Sequence, residues 1–194
     1  MLPSIKRITK IGPEVVDLFT YRFTETRSIW LLGEVNDRTA AEICLQLEYL
    51  DGIGSEDILL YINSPGGSVA AGLSIVDAIR RCRCDVVTIA TGIAASMGAF
   101  ILSCGTKGKR YVTPLAEVMI HQPLGGAQGQ ASDIELVARH IVQTKMRLNQ
   151  VLAENTGHTV EEVALDSDRD CYMTAQQAID YGIADCLLKS NELL

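Results

Sequence analysis

The chain carries three histidines, His121, His140 and His158. Histidine is the side chain whose ordinary pKa lets it take and return a proton near neutral pH. His140 falls beside Arg139 inside a helical pattern, and His158 follows Gly157 in a loop. His121 is different. It ends the apolar run Met119-Ile120 and precedes Gln122-Pro123, and strand ends are where α/β sheets build their sites. A base of this kind could serve a serine, and it would need an acid to hold its tautomer. Ser96 is the candidate nucleophile. It stands in Thr91-Gly92-Ile93-Ala94-Ala95-Ser96-Met97-Gly98-Ala99-Phe100, after the β-branched run Val86-Val87-Thr88-Ile89-Ala90 and before a small, apolar run to Cys104. A strand running through a tight turn into a helix is how a nucleophile elbow is made, although Ala94 stands where the strict G-x-S-x-G pattern has its first glycine. On this stretch alone, a small serine packed in a buried helix fits equally well. The candidate acids are clustered in Asp166-Ser167-Asp168-Arg169-Asp170, and the pattern does not choose among the three aspartates.

A fourth part is Ser64-Pro65-Gly66-Gly67-Ser68, which follows one apolar run and opens another. The chain has no G-x-x-x-x-G-K-[ST] and no G-x-G-x-x-G there, which removes the usual signatures of a nucleotide loop. Backbone N–H groups exposed by paired glycines could instead hold an oxyanion, or the loop could be a plain strand–helix turn.

The elements that would position these residues alternate. Ser28 to Val35 reads as a strand, and Asn36 or Asp37 caps a helix whose apolar positions are Ala40, Ile43, Cys44, Leu47 and Leu50. Asp57 to Asn63 is a second, nearly all-apolar strand, as expected of one covered on both faces. A helix follows with Val69, Leu73, Val76 and Ile79 on one stripe. Lys109–Thr113 and Glu117–His121 read as short strands, and residues 124–130 as a flexible segment. A long helix from about Ser132 to Thr156 carries Ile134, Val137, Ile141, Met146 and Leu148 as its apolar positions and stops at Gly157. Thr159-x-x-Glu162 and Thr174-x-x-Gln177 are capping boxes of two short helices, and Ile183 to Leu188 makes a closing strand. The segment Met1–Asp17 mixes charges with Gly12-Pro13 and reads as irregular, bending there rather than extending a strand. Strand–helix alternation over most of the chain gives an α/β fold.

Composition narrows the classes. The chain has 194 residues, a length that suits one domain; 47% are hydrophobic and only 5% aromatic, the profile of an aliphatic, layered core. The formal net charge of −7 argues against nucleic acid or an anionic membrane as partner. The uncharged stretch Val86–Thr106 is long enough to span a bilayer, but its glycines, serines and threonines favour a buried strand–turn–helix. Six cysteines without a C-x-x-C pair, in a chain whose first residues hold no apolar signal core, are expected to be reduced thiols in a cytoplasmic protein rather than a zinc site.

Four blocks, Tyr61-Ile62-Asn63-Ser64-Pro65-Gly66-Gly67, Ala94-Ala95-Ser96-Met97-Gly98-Ala99, Met119-Ile120-His121-Gln122-Pro123 and Asp168-Arg169-Asp170, resemble in order and spacing the proteolytic subunits of Clp proteases, the ClpP family. The resemblance runs from about Ser28 to Leu188. It implies the ClpP/crotonase-like fold of repeated ββα units, with a protruding strand–helix handle at residues 122–156 and a gate segment at residues 1–27 of a single 1–194 domain. It implies Ser96 as nucleophile, His121 as general base and acid, Asp170 as orienter, and an oxyanion hole made by the backbone N–H groups of Gly67 and Met97. No metal or cofactor is implied. Two heptameric rings would stack into a closed chamber, and a hexameric AAA+ unfoldase would spend the ATP and feed in unfolded polypeptides. Tyr61 matches an aromatic of the outer docking groove for that unfoldase.

The chain departs from the family at Ile11-Gly12-Pro13-Glu14-Val15-Val16-Asp17-Leu18, where a Ser-Arg-Gly-Glu-Arg-like block is usual. With that departure, slow cleavage of short peptides by the chain alone is expected, and better coupling to an unfoldase in a mixed complex with a second ClpP-like subunit. Two other readings share parts of the pattern: a crotonase-type acyl-CoA enzyme, which would use a glutamate and need no Ser96, and a non-catalytic or weakly active ring paralogue, which would typically lack one of the three residues.

Overall fold

The computed structural model describes residues 3–189; residues 1, 2 and 190–194, the ends of the expected 1–194 domain, lie outside the described residues. The elements run β1 (Ser4–Thr9), β2 (Gly12–Asp17), α1 (Leu18–Thr26), β3 (Ser28–Leu32), α2 (Asp37–Ile53), β4 (Ile58–Ser64), α3 (Val69–Arg81), β5 (Val86–Ala95), α4 (Met97–Ser103), β6 (Arg110–Val112), β7 (Glu117–Ile120), α5 (Ala131–Thr156), α6 (Val160–Asp166), β8 (Cys171–Thr174), α7 (Ala175–Tyr181) and β9 (Cys186–Leu187).

A parallel sheet in the order β3-β4-β5-β6-β9 forms the centre. Ile29, Ile58, Leu60, Ile62, Ile89 and Ala90 on its strands are fully buried, as expected of strands covered on both faces. Helices α2 and α3 pack on it through Ile43, Leu47, Leu50, Ile75 and Val76. The Asn36 side chain accepts the N–H groups of Arg38 and Thr39 and so starts α2.

Strand β5 is the branching element. Its first half, Thr88–Ala90, pairs with β6; its second half, Ile93–Ala95, pairs with β7. Between them the register against β4 slips from Ile62↔Ala90 to Ser64↔Ala94, so β5 carries two extra residues. Gly92 takes the left-handed φ of +65° that this bulge needs, and the Asn63 side chain accepts the Ile93 N–H beside it. The β-branched run Val86–Ala90 suggested a strand that turns soon afterwards; in the structure the strand continues to Ala95 and the turn is at Ser96. The apolar stretch Val86–Thr106 thus divides into β5 and α4, a helix of only 7 residues, and no helix among the described residues is long and apolar enough to cross a membrane.

Two further expectations are corrected. First, residues 4–17 are not irregular. They form an antiparallel hairpin with Ser4 opposite Asp17 and Thr9 opposite Gly12. Pro13 is tolerated because a two-stranded ribbon leaves unpaired edges, and Arg7 holds the hairpin down by bridging Glu14 (2.8 Å) and Glu25 of α1 (2.6 Å). Helix α1 was itself not foreseen; Asp17 caps it and Arg27, at φ 49°, ends it. Second, residues 121–130 form no strand. A strand needs a neighbouring edge, and none of the described strands offers one to this segment, so the protruding feature is helix α5 alone. Its 26 residues measure about 39 Å at the helical rise. Only Asn149, Leu152 and Ala153 at its C-terminal end are buried, while Leu136, Val142 and Met146 are exposed. Tyr61, matched to the outer docking groove, lies under the Trp30 ring, which stacks on it at 4.2 Å and leaves it 8% exposed.

At the base of α5, Arg110 is fully buried. It pairs with Asp185 and donates to the carbonyls of Ser103 (3.2 Å) and Asn155 (3.0 Å). One guanidinium thus ties β6 and β9 to the C-terminal ends of α4 and α5. Burial pushes the Asp185 carboxyl up, but its bonds to Arg110 outweigh this and hold it below the ordinary carboxylate range.

Candidate active site

Ser96 is the joint between β5 and α4. Its backbone has φ 53° and ψ −119°, a conformation that costs a non-glycine residue of order 1–3 kcal/mol. The surroundings enforce it. The Ser96 N–H donates to the Met119 carbonyl of β7 at 2.8 Å, and its carbonyl accepts the Phe100 N–H at 3.0 Å. All seven residues of α4 are buried. The Ser96 hydroxyl makes no capping bond to its own helix, so it is left to other partners. This is an elbow in geometry, although the first glycine of the usual pattern is Ala94. That position lies within β5, pairs with Val118 and is fully buried.

The paired glycines approach from β4. Gly66 (φ +94°) and Gly67 (φ +148°) both occupy backbone that favours glycine. The turn is anchored on Val35, whose N–H donates to the Gly66 carbonyl (2.8 Å) and whose carbonyl accepts the Ser68 N–H (2.7 Å). A methyl group at Gly66 would sit 2.6 Å from the Ser96 Cβ and 3.0 Å from the Met97 backbone nitrogen. The loop therefore lies directly against the Ser96–Met97 turn.

His121 follows β7, and its side chain is 18% exposed. Its Nε2 lies 2.9 Å from Ser96 Oγ and its Nδ1 3.1 Å from Asp170 Oδ1. If the proton sits on Nδ1, directed at the carboxylate, Nε2 accepts from the serine hydroxyl. That is the arrangement a general base requires. The bond to Asp170 comes from β8. Antiparallel pairing of β7 and β8 sets Ile120 opposite Cys171, so the next step outward brings His121 to Asp170. The other two aspartates are used elsewhere: Asp166 accepts from the Tyr181 hydroxyl (3.0 Å), and Asp168 faces the Gln122 amide.

A narrow cavity opens beside Ser96. Val69, Met97, Phe100, Ile120, Pro123 and Leu152 supply most of its apolar wall, and His121 stands at its edge. His140 is exposed on α5 and His158 stacks on Tyr181 at 4.3 Å; neither reaches the site. All six cysteines are free. Burial pushes the Cys44, Cys84, Cys104 and Cys171 thiols up, and that of Cys82 to about 11, which keeps them protonated and poorly nucleophilic. Among the described residues no group of three or more His, Cys, Asp or Glu could hold a metal ion.

Two features escaped the sequence pattern. Strand β8 has only four residues, Cys-Tyr-Met-Thr, too short and mixed to stand out. Lys145 of α5 donates to the Gln122 side chain at 2.9 Å, yet in sequence it is one charge among many on a solvated helix. A protein-family model described as Clp protease matches residues 12–191, which takes in every element from β2 to β9 and leaves β1 before the match.

Proposed function

Because the chain belongs to the Clp protease family, we propose that it is the serine endopeptidase subunit of an ATP-dependent Clp protease, cutting unfolded polypeptides to short peptides inside a ring-shaped chamber. The observation that carries this reading is the unbroken hydrogen-bonded line from Asp170 through His121 to Ser96. His121 takes the Ser96 proton as Oγ attacks the scissile carbonyl, Asp170 holds the imidazole in the required tautomer, and the N–H groups of Gly67 and Met97 receive the oxyanion. His121 then protonates the leaving amine, and water repeats the sequence on the acyl-enzyme. An apolar substrate side chain would enter the cavity lined by Phe100 and Leu152. None of these steps calls on a metal or cofactor; ATP would be spent by a partner AAA+ unfoldase.

The reading takes residues 1–194 as one peptidase domain, with residues 1–27 at the gate and residues 122–156 as the handle between rings. Support for stacked heptameric rings comes from the exposed apolar side chains of α5, Ile134, Leu136, Val137 and Met146, which a neighbouring copy would cover. The cluster of Trp30, Tyr61 and Tyr111 would form part of the face met by the unfoldase. The apolar hairpin side chains Ile8 and Ile11 are fully open and would need a partner at the pore, the unfoldase or a second ClpP-like subunit, in the cytoplasm where this reading places the complex. Labelling with a fluorophosphonate probe tests the central claim: the adduct should be found on Ser96, and Ser96→Ala should abolish both labelling and peptide cleavage while leaving the oligomer intact. Cleavage by Ser96→Ala within about tenfold of the unaltered chain, roughly 1.4 kcal/mol of barrier, would overturn it.

A further inference from the structure

The Asp170 side chain is 57% exposed, and among the described hydrogen bonds its carboxylate meets no side chain but that of His121. Something other than its own contacts must keep it in place. On its C-terminal side the chain is fixed at once, because Cys171 is paired with Ile120. On its N-terminal side the fixing point is Gln122. The Gln122 backbone N–H donates to the Ser167 carbonyl at 2.7 Å, and its side-chain Nε2 donates to the Asp168 carbonyl at 2.9 Å. Only Arg169, whose side chain is 93% exposed, stands between this clasp and Asp170. The Gln122 amide is in turn oriented from the other end. Its Oε1 accepts from Lys145 Nζ at 2.9 Å, which fixes the amide so that Nε2 is the atom facing the loop. Lys145 belongs to α5, the helix whose N-terminal part projects from the body.

We propose that Gln122, oriented by Lys145, is a positioning residue that fixes the backbone carrying Asp170 and so keeps the carboxylate on His121. The inference rests on the reading of Ser96, His121 and Asp170 as a catalytic relay. Without the Lys145 bond the Gln122 amide is free to turn, and the Asp168–Asp170 loop keeps only the Gln122 backbone N–H bond to Ser167 on its N-terminal side. A misplacement of about 1 Å at such a group lowers turnover by up to about 100-fold, so a side chain that never touches His121 sets how well Asp170 orients it.

The test uses the full-length oligomer, with Gln122→Ala and Lys145→Met as loosened variants and Lys145→Arg as the conservative one. Hydrogen exchange followed by mass spectrometry should show faster exchange of residues 166–172 in both loosened variants and unchanged exchange in Lys145→Arg. For a short fluorogenic peptide, Gln122→Ala should lower kcat about tenfold with KM unchanged within about twofold. In an Asp170→Asn background the same substitution should cost nothing further, because the group it positions has already been lost. Should Gln122→Ala fail to fold, Lys145→Met carries the same comparisons. Unchanged exchange in the loosened variants, a kcat within twofold of the unaltered chain, or an effect that adds fully to that of Asp170→Asn would each overturn the proposal. If the unaltered chain itself cleaves no peptide and Ser96 takes no probe, the peptidase reading has failed and the positioning role falls with it, an outcome distinct from the other three.

Discussion

Replacing Asp170 by asparagine separates the three aspartates of the 166–170 segment by function. The carboxylate lies 3.1 Å from His121 Nδ1. When Ser96 gives up its proton, the imidazole becomes a cation about 4 Å from the centre of that negative charge. Their attraction is about 1 kcal/mol if bulk water screens it and about 4 kcal/mol at the effective dielectric of a protein surface. With 57% of the Asp170 side chain exposed, the true value falls between these limits. Asparagine also offers an NH2 to Nδ1, which puts the ring proton on Nε2, facing Ser96, where it blocks proton acceptance. Asp170→Asn should therefore reduce kcat/KM by about 5- to 1,000-fold, the span of 1–4 kcal/mol. Asp166→Asn weakens only the bond to the Tyr181 hydroxyl, and Asp168→Asn leaves its own carbonyl in place for Gln122, so both should stay within about threefold of the unaltered chain. The assay is hydrolysis of a short fluorogenic peptide, with sedimentation to confirm that each variant assembles equally. An inactive Asp168→Asn beside an Asp170→Asn of full activity would refute the assignment.

Gly66→Ala should cut turnover about 100-fold, because its methyl group would press on the Ser96 Cβ and because φ +94° disfavours alanine; steady-state kinetics on the assembled protein checks this. Asp185→Asn leaves the buried Arg110 guanidinium without its counter-charge and should cost about 3–5 kcal/mol, read as a lower midpoint in urea. The Asp185 pKa is lowered on folding. Its stabilising effect is therefore complete above the ordinary aspartate value and fades as pH falls through the lowered one; urea midpoints measured across that acidic window should fall with pH in the unaltered chain and fall less in Asp185→Asn. Ile134→Asp with Val137→Asp on the exposed part of α5 should reduce the particle seen by light scattering to about half its mass, if that face joins two rings, and an unchanged mass would count against the handle.

Much of the fold was legible because its signals are local. Asn36, Thr159 and Thr174 cap their helices through short-range bonds, so a residue type followed three positions later by its partner already fixes those boundaries. The apolar run Ile58–Ile62 declared a strand covered on both faces, and Gly157 declared a helix end. Among the chemical groups, the sequence alone singled out Ser96 and His121, by their places at the ends of apolar runs. It could not choose among Asp166, Asp168 and Asp170, since that choice depends on the register of a four-residue strand against one far from it in sequence. Nor could it foresee the hairpin of residues 4–17, where the charges of Arg7 and Glu14 suggest a loop until Arg7 is seen to bridge Glu14 and Glu25. The strained backbone of Ser96 is also a product of the tertiary structure: the Met119 carbonyl on one side and Gly66 on the other hold it there. Residue type and spacing determine what each segment can be, whereas the meeting of Ser96, His121 and Asp170 is decided only when β5, β7 and β8 pair, because hydrogen-bond register between strands leaves no trace in the local sequence.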